Sequence, residues 1–344
     1  MKKDEFLQTL CSLLQPLPAD ERDRVLAFYE EMISDRMEDG QSEEEAVLQL
    51  GGTEELADSI LQELPKEKGS GEGENAEDKL YEIGVGDIKQ ISLHLRNLPV
   101  RLCPSEDERF RFHYYENDKV QFQIWEKYGV LHIEQNQPRG FWRLLPWQAR
   151  TVTLAVPKTF SGEIELQDTN GKVTAEEICL AGKLVCHTTN ASVVLREIKA
   201  SLADISTVNG RAELSGLKLS GTLDCHMANS KINISAVSAA QIDVATKNGK
   251  ITLNDVASAG NLKANNLNGK IEVERISGTD IRLKTVNGTI TGSVRGQAEE
   301  YSVTAKTVNG TCSVPSGSNE KASKSLTAKT VNGSIVLSFT DTDA

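Results

Sequence analysis

The sequence predicts a mainly β protein, a single-stranded β-solenoid (β-helix) with coils of about 20 residues, preceded by a small all-α helical bundle. Three observations predict it. Asn followed by a small residue returns nine times, at Asn170, Asn190, Asn209, Asn229, Asn248, Asn268, Asn287, Asn309 and Asn332, with intervals of 20, 19, 20, 19, 20, 19, 22 and 23 residues. Apolar residues alternate with polar ones on both sides of each Asn. The first sixty residues instead carry apolar residues at helical spacing, between Gly and Pro punctuation.

The helices come first. Phe6, Leu7, Leu10, Leu13 and Leu14 form one apolar stripe that Pro16 and Pro18 end. Val25, Phe28, Tyr29, Met32 and Ile33 form a second, closed by Gly40. Ser42-Glu43-Glu44-Glu45 is a capping-box pattern for a third helix, and Thr53 caps a fourth through Leu56, Ile60, Leu61 and Leu64. So residues 1–64 read as a helical domain with a small core. Residues 65–79, rich in Gly and charge, read as a flexible linker.

From residue 80 the period changes to two. Ile88–Leu95, Phe110–Tyr115, Val120–Trp125, Val130–Glu134 and Thr151–Val156 read as strands, and residues 80–160 as an irregular β entry or cap over the end of the solenoid. Residues 161–344 read as the regular repeats. Three and five residues after each Asn lie apolar columns such as Val173, Val193, Ile271, Cys312 and Ala175, Leu195, Val273, Val314. Six and four residues before it lie Leu184, Ala203, Val303 and Cys186, Ile205, Ala305. Each coil thus carries at least two half-buried strands. Ile271 is placed inside and Glu272 outside, where substitution is expected to be nearly silent. Asn-Gly suits a corner because Gly accepts positive φ, and stacked Asn side chains can bond from coil to coil. An antiparallel sandwich remains the alternative.

The formal charge of −12 is uneven: residues 1–78 hold 7 Lys/Arg against 22 Asp/Glu, the remainder 31 against 28. Direct nucleic-acid binding is not expected from either part. The N-terminus, MKKDEFLQTL, lacks the apolar region of a signal peptide, and no run approaches the 18 apolar residues of a membrane helix. Six cysteines show no disulfide framework. Together these point to a cytoplasmic protein, with peripheral envelope association left open.

Features that could carry chemistry are few. Asp204, Asp224 and Asp243 each stand five residues before their Asn in successive coils, and His226 is nearby. Three stacked carboxylates suit a calcium ion or the acid–base chemistry of a β-helical carbohydrate-active enzyme. The same column continues as Lys263 and Arg282, which makes a charged surface ladder the competing reading. Lys172, Arg211, Lys231, Lys250 and Lys270 stand two residues after their Asn, and Lys284, Lys306 and Lys329 three before theirs. Such basic stripes suit an anionic polymer, phospholipid headgroups or the acidic N-terminal domain, and guarding against lateral sheet aggregation is the competing reading. Trp142, Arg143 and Trp147 form an aromatic–basic cluster that suits an interface anchor or membrane-surface contact, and a plug packed over the first coil is the preferred reading. There is no phosphate loop, nucleophile elbow or HExxH, and the histidines lack metal spacing, so no cofactor or metal is expected.

The string Leu17-Pro18, Tyr29-Glu30-Glu31, Asp35, Gly40, Ser42-Glu43-Glu44-Glu45, Leu50-Gly51 and Ala57 resembles the HAAS family of helical signalling domains. That resemblance implies a bacterial protein whose helical domain contacts a PadR-type transcriptional regulator or another signalling protein. Residues 80–344 resemble the bacterial domain family of unknown function labelled "putative adhesin", through Asp87-Ile88, Leu131-His132-Ile133, Val156-Pro157-Lys158 and the repeated Thr-Val-Asn-Gly. It implies a right-handed solenoid and, by its label, a surface adhesin or carbohydrate binder. The sequence reading is a non-enzymatic interaction protein with a rigid sensing surface whose ligand stays open; the adhesin and the enzyme are the alternatives.

Overall fold

The computed structural model describes residues 1–17, 19–38, 42–48, 50–62, 76–117, 120–136, 150–315 and 322–340. The chain forms two compact units, one containing residues 1–77 and the other holding nearly all the strands.

In the first unit α1 (Lys3–Leu13), α2 (Ala19–Glu38), α3 (Glu43–Leu48) and α4 (Thr53–Gln62) follow the apolar stripes. Their shared core is Phe6, Leu10, Leu14, Leu17, Val25, Tyr29, Ile33, Ala46, Val47, Ala57 and Ile60. Phe6 meets Tyr29 edge to face at 6.1 Å. The capping box forms as its pattern requires: Glu45 N donates to Ser42 Oγ at 3.3 Å and Ser42 N to Glu45 Oε2 at 3.1 Å.

In the second unit two parallel sheets face each other across one core. A typical coil runs through a strand of the first sheet (Lys183–Thr188), the Asn corner at Asn190, a strand of the second sheet (Val193–Arg196) and a second corner at Glu197. Successive coils pair in register, Leu184 with Ala203 and Cys186 with Ile205 in one sheet, Val193 with Ala212 and Leu195 with Leu214 in the other. Side chains alternate across each strand, so the apolar columns fall inside the stack; Leu184, Ala203, Leu223, Val193, Ile251 and Ile271 are fully buried. The pairing is parallel along the whole repeat region, which excludes the antiparallel sandwich. Cys186 and Cys225 lie in one buried column with Ile205 between them.

The coils do not stack in sequence order at either end. At the start, strand 163–168 pairs with 90–95, which pairs with 130–135, and 173–176 pairs with 100–104, which pairs with 152–156. Two in-register coils therefore come from residues 90–156, the later one outermost. Antiparallel strands 109–116 and 122–127 then close this end, with Phe112 and Tyr114 packed on Phe122 at 5.4 and 5.0 Å. At the other end, 280–284 pairs with 324–329, which pairs with 301–306, and 290–295 pairs with 335–340, which pairs with 312–313. The last coil of the sequence is inserted beneath the one before it. That insertion leaves the Asn309 coil at the end of the stack. Cys312, assigned to the inner face by its repeat position, is exposed there, and Val303, Ala305 and Val314 are only half-buried.

Candidate binding surface on the solenoid

The Asn corners carry an unbroken side-chain ladder. Each Nδ2 donates to Oδ1 one coil toward the start: Asn190 to Asn170 at 2.8 Å, Asn209 to Asn190 at 2.8 Å, Asn229 to Asn209 at 3.0 Å and Asn248 to Asn229 at 2.9 Å. Asn268 to Asn248 and Asn287 to Asn268 follow at 2.8 Å. Next come Asn332 to Asn287 at 2.7 Å and Asn309 to Asn332 at 2.8 Å, in the inserted order. Asn170 donates in turn to Asn97, a rung that the repeat spacing missed because Leu98, not a small residue, follows it.

The corner glycines serve a purpose other than φ. Among the Asn-Gly glycines only Gly269 and Gly333 have positive φ, at 155° and 153°, near the extended limit. What they share is crowding by the coil beneath: a Cβ on Gly288 would stand 2.0 Å from the Gly269 carbonyl, and one on Gly333 2.0 Å from that of Gly288. Positive φ belongs instead to the second corner, at Glu177, Glu197, Gly216, Ala236, Asp255 and Arg275, between +50° and +68°. There Arg275 binds both Asp255 oxygens, at 2.6 and 2.5 Å, and Arg295 adds a bond of 2.8 Å, holding the Asp255 carboxyl down at about 2.

The acidic column is real as geometry. Asp204, Asp224 and Asp243 are in register on adjacent strands, half-buried on the outer face. Each outer member has a basic neighbour: His187 lies 3.5 Å from Asp204, while His226 and Lys263 each lie 3.8 Å from Asp243. Burial pushes the Asp224 carboxyl up; His226 pulls it down, and Asp204 and Asp243 add to the rise. Among the described residues no group of three or more His, Cys, Asp or Glu side chains is placed to hold a metal ion. Further along the same sheet the outward charge changes sign, through Lys263 and Arg282 to the exposed Lys284, Lys329 and Lys306. Trp142, Arg143 and Trp147 lie outside the described residues.

One buried carboxylate escaped the sequence reading. Asp168 occupies the inward column that Thr fills in most other coils. It is 5 % exposed, its Oδ1 accepts from Asn170 N at 3.0 Å and Gly171 N at 2.8 Å, and its Oδ2 is buried without a donor among the described residues. Burial pushes its carboxyl up to about 6, against the pull of the surrounding backbone amides.

The Toastrack DUF4097 family model matches residues 88–343, about three-quarters of the chain. The chain belongs to the Toastrack DUF4097 family. The HAAS model matches residues 5–59 of this Toastrack protein, the four-helix unit. Among curated proteins none matches. Two solved structures are similar to it. One is a "putative cell adhesion protein" from Clostridium sporogenes, 11 % identical over 77 % of this chain and 100 % of that one, with a TM-score of 0.24. The other is a "putative adhesin" from Bacteroides fragilis, 14 % identical over 63 % of this chain and 96 % of that one, with a TM-score of 0.38.

Proposed function

We propose that this Toastrack protein is a non-enzymatic adaptor of a bacterial signalling circuit. The HAAS-type helical unit contacts a transcriptional regulator of the PadR type or another signalling protein, and the solenoid is a rigid binding or sensing surface. One observation carries the adaptor role: the helical unit has its own core yet keeps large apolar side chains on its surface. Leu48 is 80 % exposed. With Met1, Val47 and Thr53 it lines a cleft of about 730 Å³ within that unit. An exposed apolar surface beside a cleft is the kind of surface that a protein partner covers.

The solenoid reading rests on rigidity and surface pattern. Its outward charges follow columns fixed by strand register, so it presents a constant array. The neighbours of Asp204 and Asp243 support a charge ladder over a catalytic pair, because each carboxylate has a basic group beside it. We place the protein in the cytoplasm; six cysteines present as free thiols support this. Among the described residues no helix is long and apolar enough to cross a membrane.

Crosslinking pull-down from the native cell tests the adaptor role, with the tagged full chain beside a chain lacking residues 1–78. The expected result is a transcriptional regulator recovered with the full chain alone. Recovery of the same proteins by both chains would move the interaction to the solenoid and sink the adaptor reading.

A further inference from the structure

The pentapeptide Lys-Thr-Val-Asn-Gly occurs three times, at 284–288, 306–310 and 329–333. The corner at 207–210 repeats Thr-Val-Asn-Gly after Ser206 instead of Lys, and the other corners read Asp-Thr-Asn-Gly, Thr-Thr-Asn-Ala, Met-Ala-Asn-Ser, Thr-Lys-Asn-Gly and Asn-Leu-Asn-Gly. The fold accounts for three of its five residues. Thr285, Thr330 and Thr307 donate to corner carbonyls of Gly269, Gly288 and Gly333 at 3.0, 2.8 and 2.7 Å. The Asn residues form the ladder, and the Gly residues clear the carbonyl of the adjacent coil. Nothing in the fold requires Lys and Val, which point outward.

The inserted coil brings the three copies side by side. Lys284 pairs in register with Lys329, and Lys329 with Lys306, so three lysine side chains leave adjacent strands at the strand spacing of ~4.8 Å. Like charges directly opposite each other cost stability. At Lys250 and Lys270 that cost is offset, because both share Glu272 at 2.5 and 2.8 Å. The one other in-register lysine pair without a carboxylate among the described residues, Lys199 with Lys218, is two lysines rather than three. Here no carboxylate stands within ion-pair distance among the described residues. Each Lys ends its strand, and the Val two residues on stands in the corner turn that follows. Val286, Val331 and Val308 are 37, 39 and 73 % exposed. The lysine and valine columns line one open cleft of about 480 Å³.

We propose that this cleft binds the headgroup and adjoining ester region of an anionic phospholipid at a bilayer surface. Three unneutralised cations call for phosphate. The valine column calls for a ligand that is apolar next to its charge. Lys263 and Arg282 alongside are paired with Asp243 and Asp280, so the unneutralised run spans only two strand spacings, ~10 Å, the scale of a headgroup and short for a polymer tract. The inference rests on reading the solenoid as a binding surface and is independent of the helical unit's partner.

The test is co-sedimentation of the full chain with vesicles of phosphatidylcholine alone or mixed with phosphatidylglycerol. Binding is expected only to the mixed vesicles and should weaken with salt. A polybasic contact contributes roughly fivefold per Lys at such a surface, so Lys284→Gln, Lys306→Gln and Lys329→Gln combined should lower partitioning about a hundredfold. Val286→Ser, Val308→Ser and Val331→Ser combined should lower it roughly tenfold. Lys199→Gln, Lys218→Gln and Lys231→Gln combined remove the same charge elsewhere and should change it by less than about twofold. No binding to phosphatidylglycerol, or equal loss in both lysine variants, would overturn the proposal. It also fails if the valine variant binds normally while inorganic polyphosphate binds the wild type and not the cleft-lysine variant, the signature of a polyanion site. Circular dichroism checks that each exposed-residue variant keeps its fold. Regulator recovery by the cleft-lysine variant reports on the adaptor role separately, so the two readings fail independently.

Discussion

Asp168 stands at a position where most other coils place a donor. Thr246 and Thr285 donate to the corner carbonyl one coil below, and Asn266 does so with its amide, to Gly249 at 2.6 Å. The Leu98 carbonyl is the equivalent acceptor for Asp168: it and Asp168 Oδ2 lie 2.1 and 2.5 Å from where a Gly171 Cβ would stand. Only a protonated carboxyl can donate there. A free aspartate titrates near pH 3.9, and the folded one at about 6. Below about pH 4 both states are protonated and there is no penalty. Between about 4 and 6 the unfolded chain ionises first, so folding stability falls as pH rises. Above about 6 the loss is constant, about 3 kcal/mol. Asp168→Asn keeps the acceptor and supplies the donor. Urea unfolding across pH should show the variant more stable by about 1–3 kcal/mol at pH 8 and level with wild type near pH 4; equal stability at pH 8 would contradict this account. Sequence repetition alone did not mark Asp168, because a carboxylate and a hydroxyl share a column only when the hydrogen bonds are seen.

Two further residue-level tests separate inside from corner. Ile271 is fully buried, and Ile271→Asp, an unpaired charge in the stack, should cost several kcal/mol. Gly288→Ala puts a Cβ 2.0 Å from a carbonyl and should cost about 2 kcal/mol or more by thermal unfolding.

At the scale of the strand and corner, Glu272 corrects the expectation of a silent surface site. Its carboxyl is held low by Lys250 and then Lys270, which bind it from its own coil and the one before. Glu272→Lys would gather three ammonium groups. The pairs are partly exposed, so the cost is about 0.5–1 kcal/mol, measurable by urea unfolding and reduced at high salt. The Asn ladder was legible because one residue type recurs at one spacing. The second corner was not: Glu177, Glu197, Gly216, Ala236, Asp255 and Arg275 share a backbone conformation without sharing chemistry. Stacking on neighbouring coils imposes it, at about 1–2 kcal/mol for each non-Gly residue. Conformational preference at a single position therefore carries no trace of it.

For the solenoid unit as a whole, the period near 20 residues predicted the stack but not its order. Insertions at both ends depend on pairing across long separations, which local pattern does not encode. The longer closing intervals, 22 and 23 residues, were the one outward sign. Hydrogen exchange reads this order directly. Amides of 324–329, paired on both sides, should exchange more slowly than those of 301–306, at the stack's edge, although the latter lie farther from the chain end. The reverse order would mean that coils stack by sequence.

The claim that this Toastrack protein is an adaptor turns on the helical unit, and Leu48 gives the most direct access to it. A photo-crosslinking amino acid at position 48 of the full chain, activated in the native cell, is the measurement to make, with position 308 on the solenoid as the companion site. A discrete product that contains a DNA-binding regulator is expected at position 48 and not at position 308. No product at position 48, or the same protein products at both positions, would contradict it.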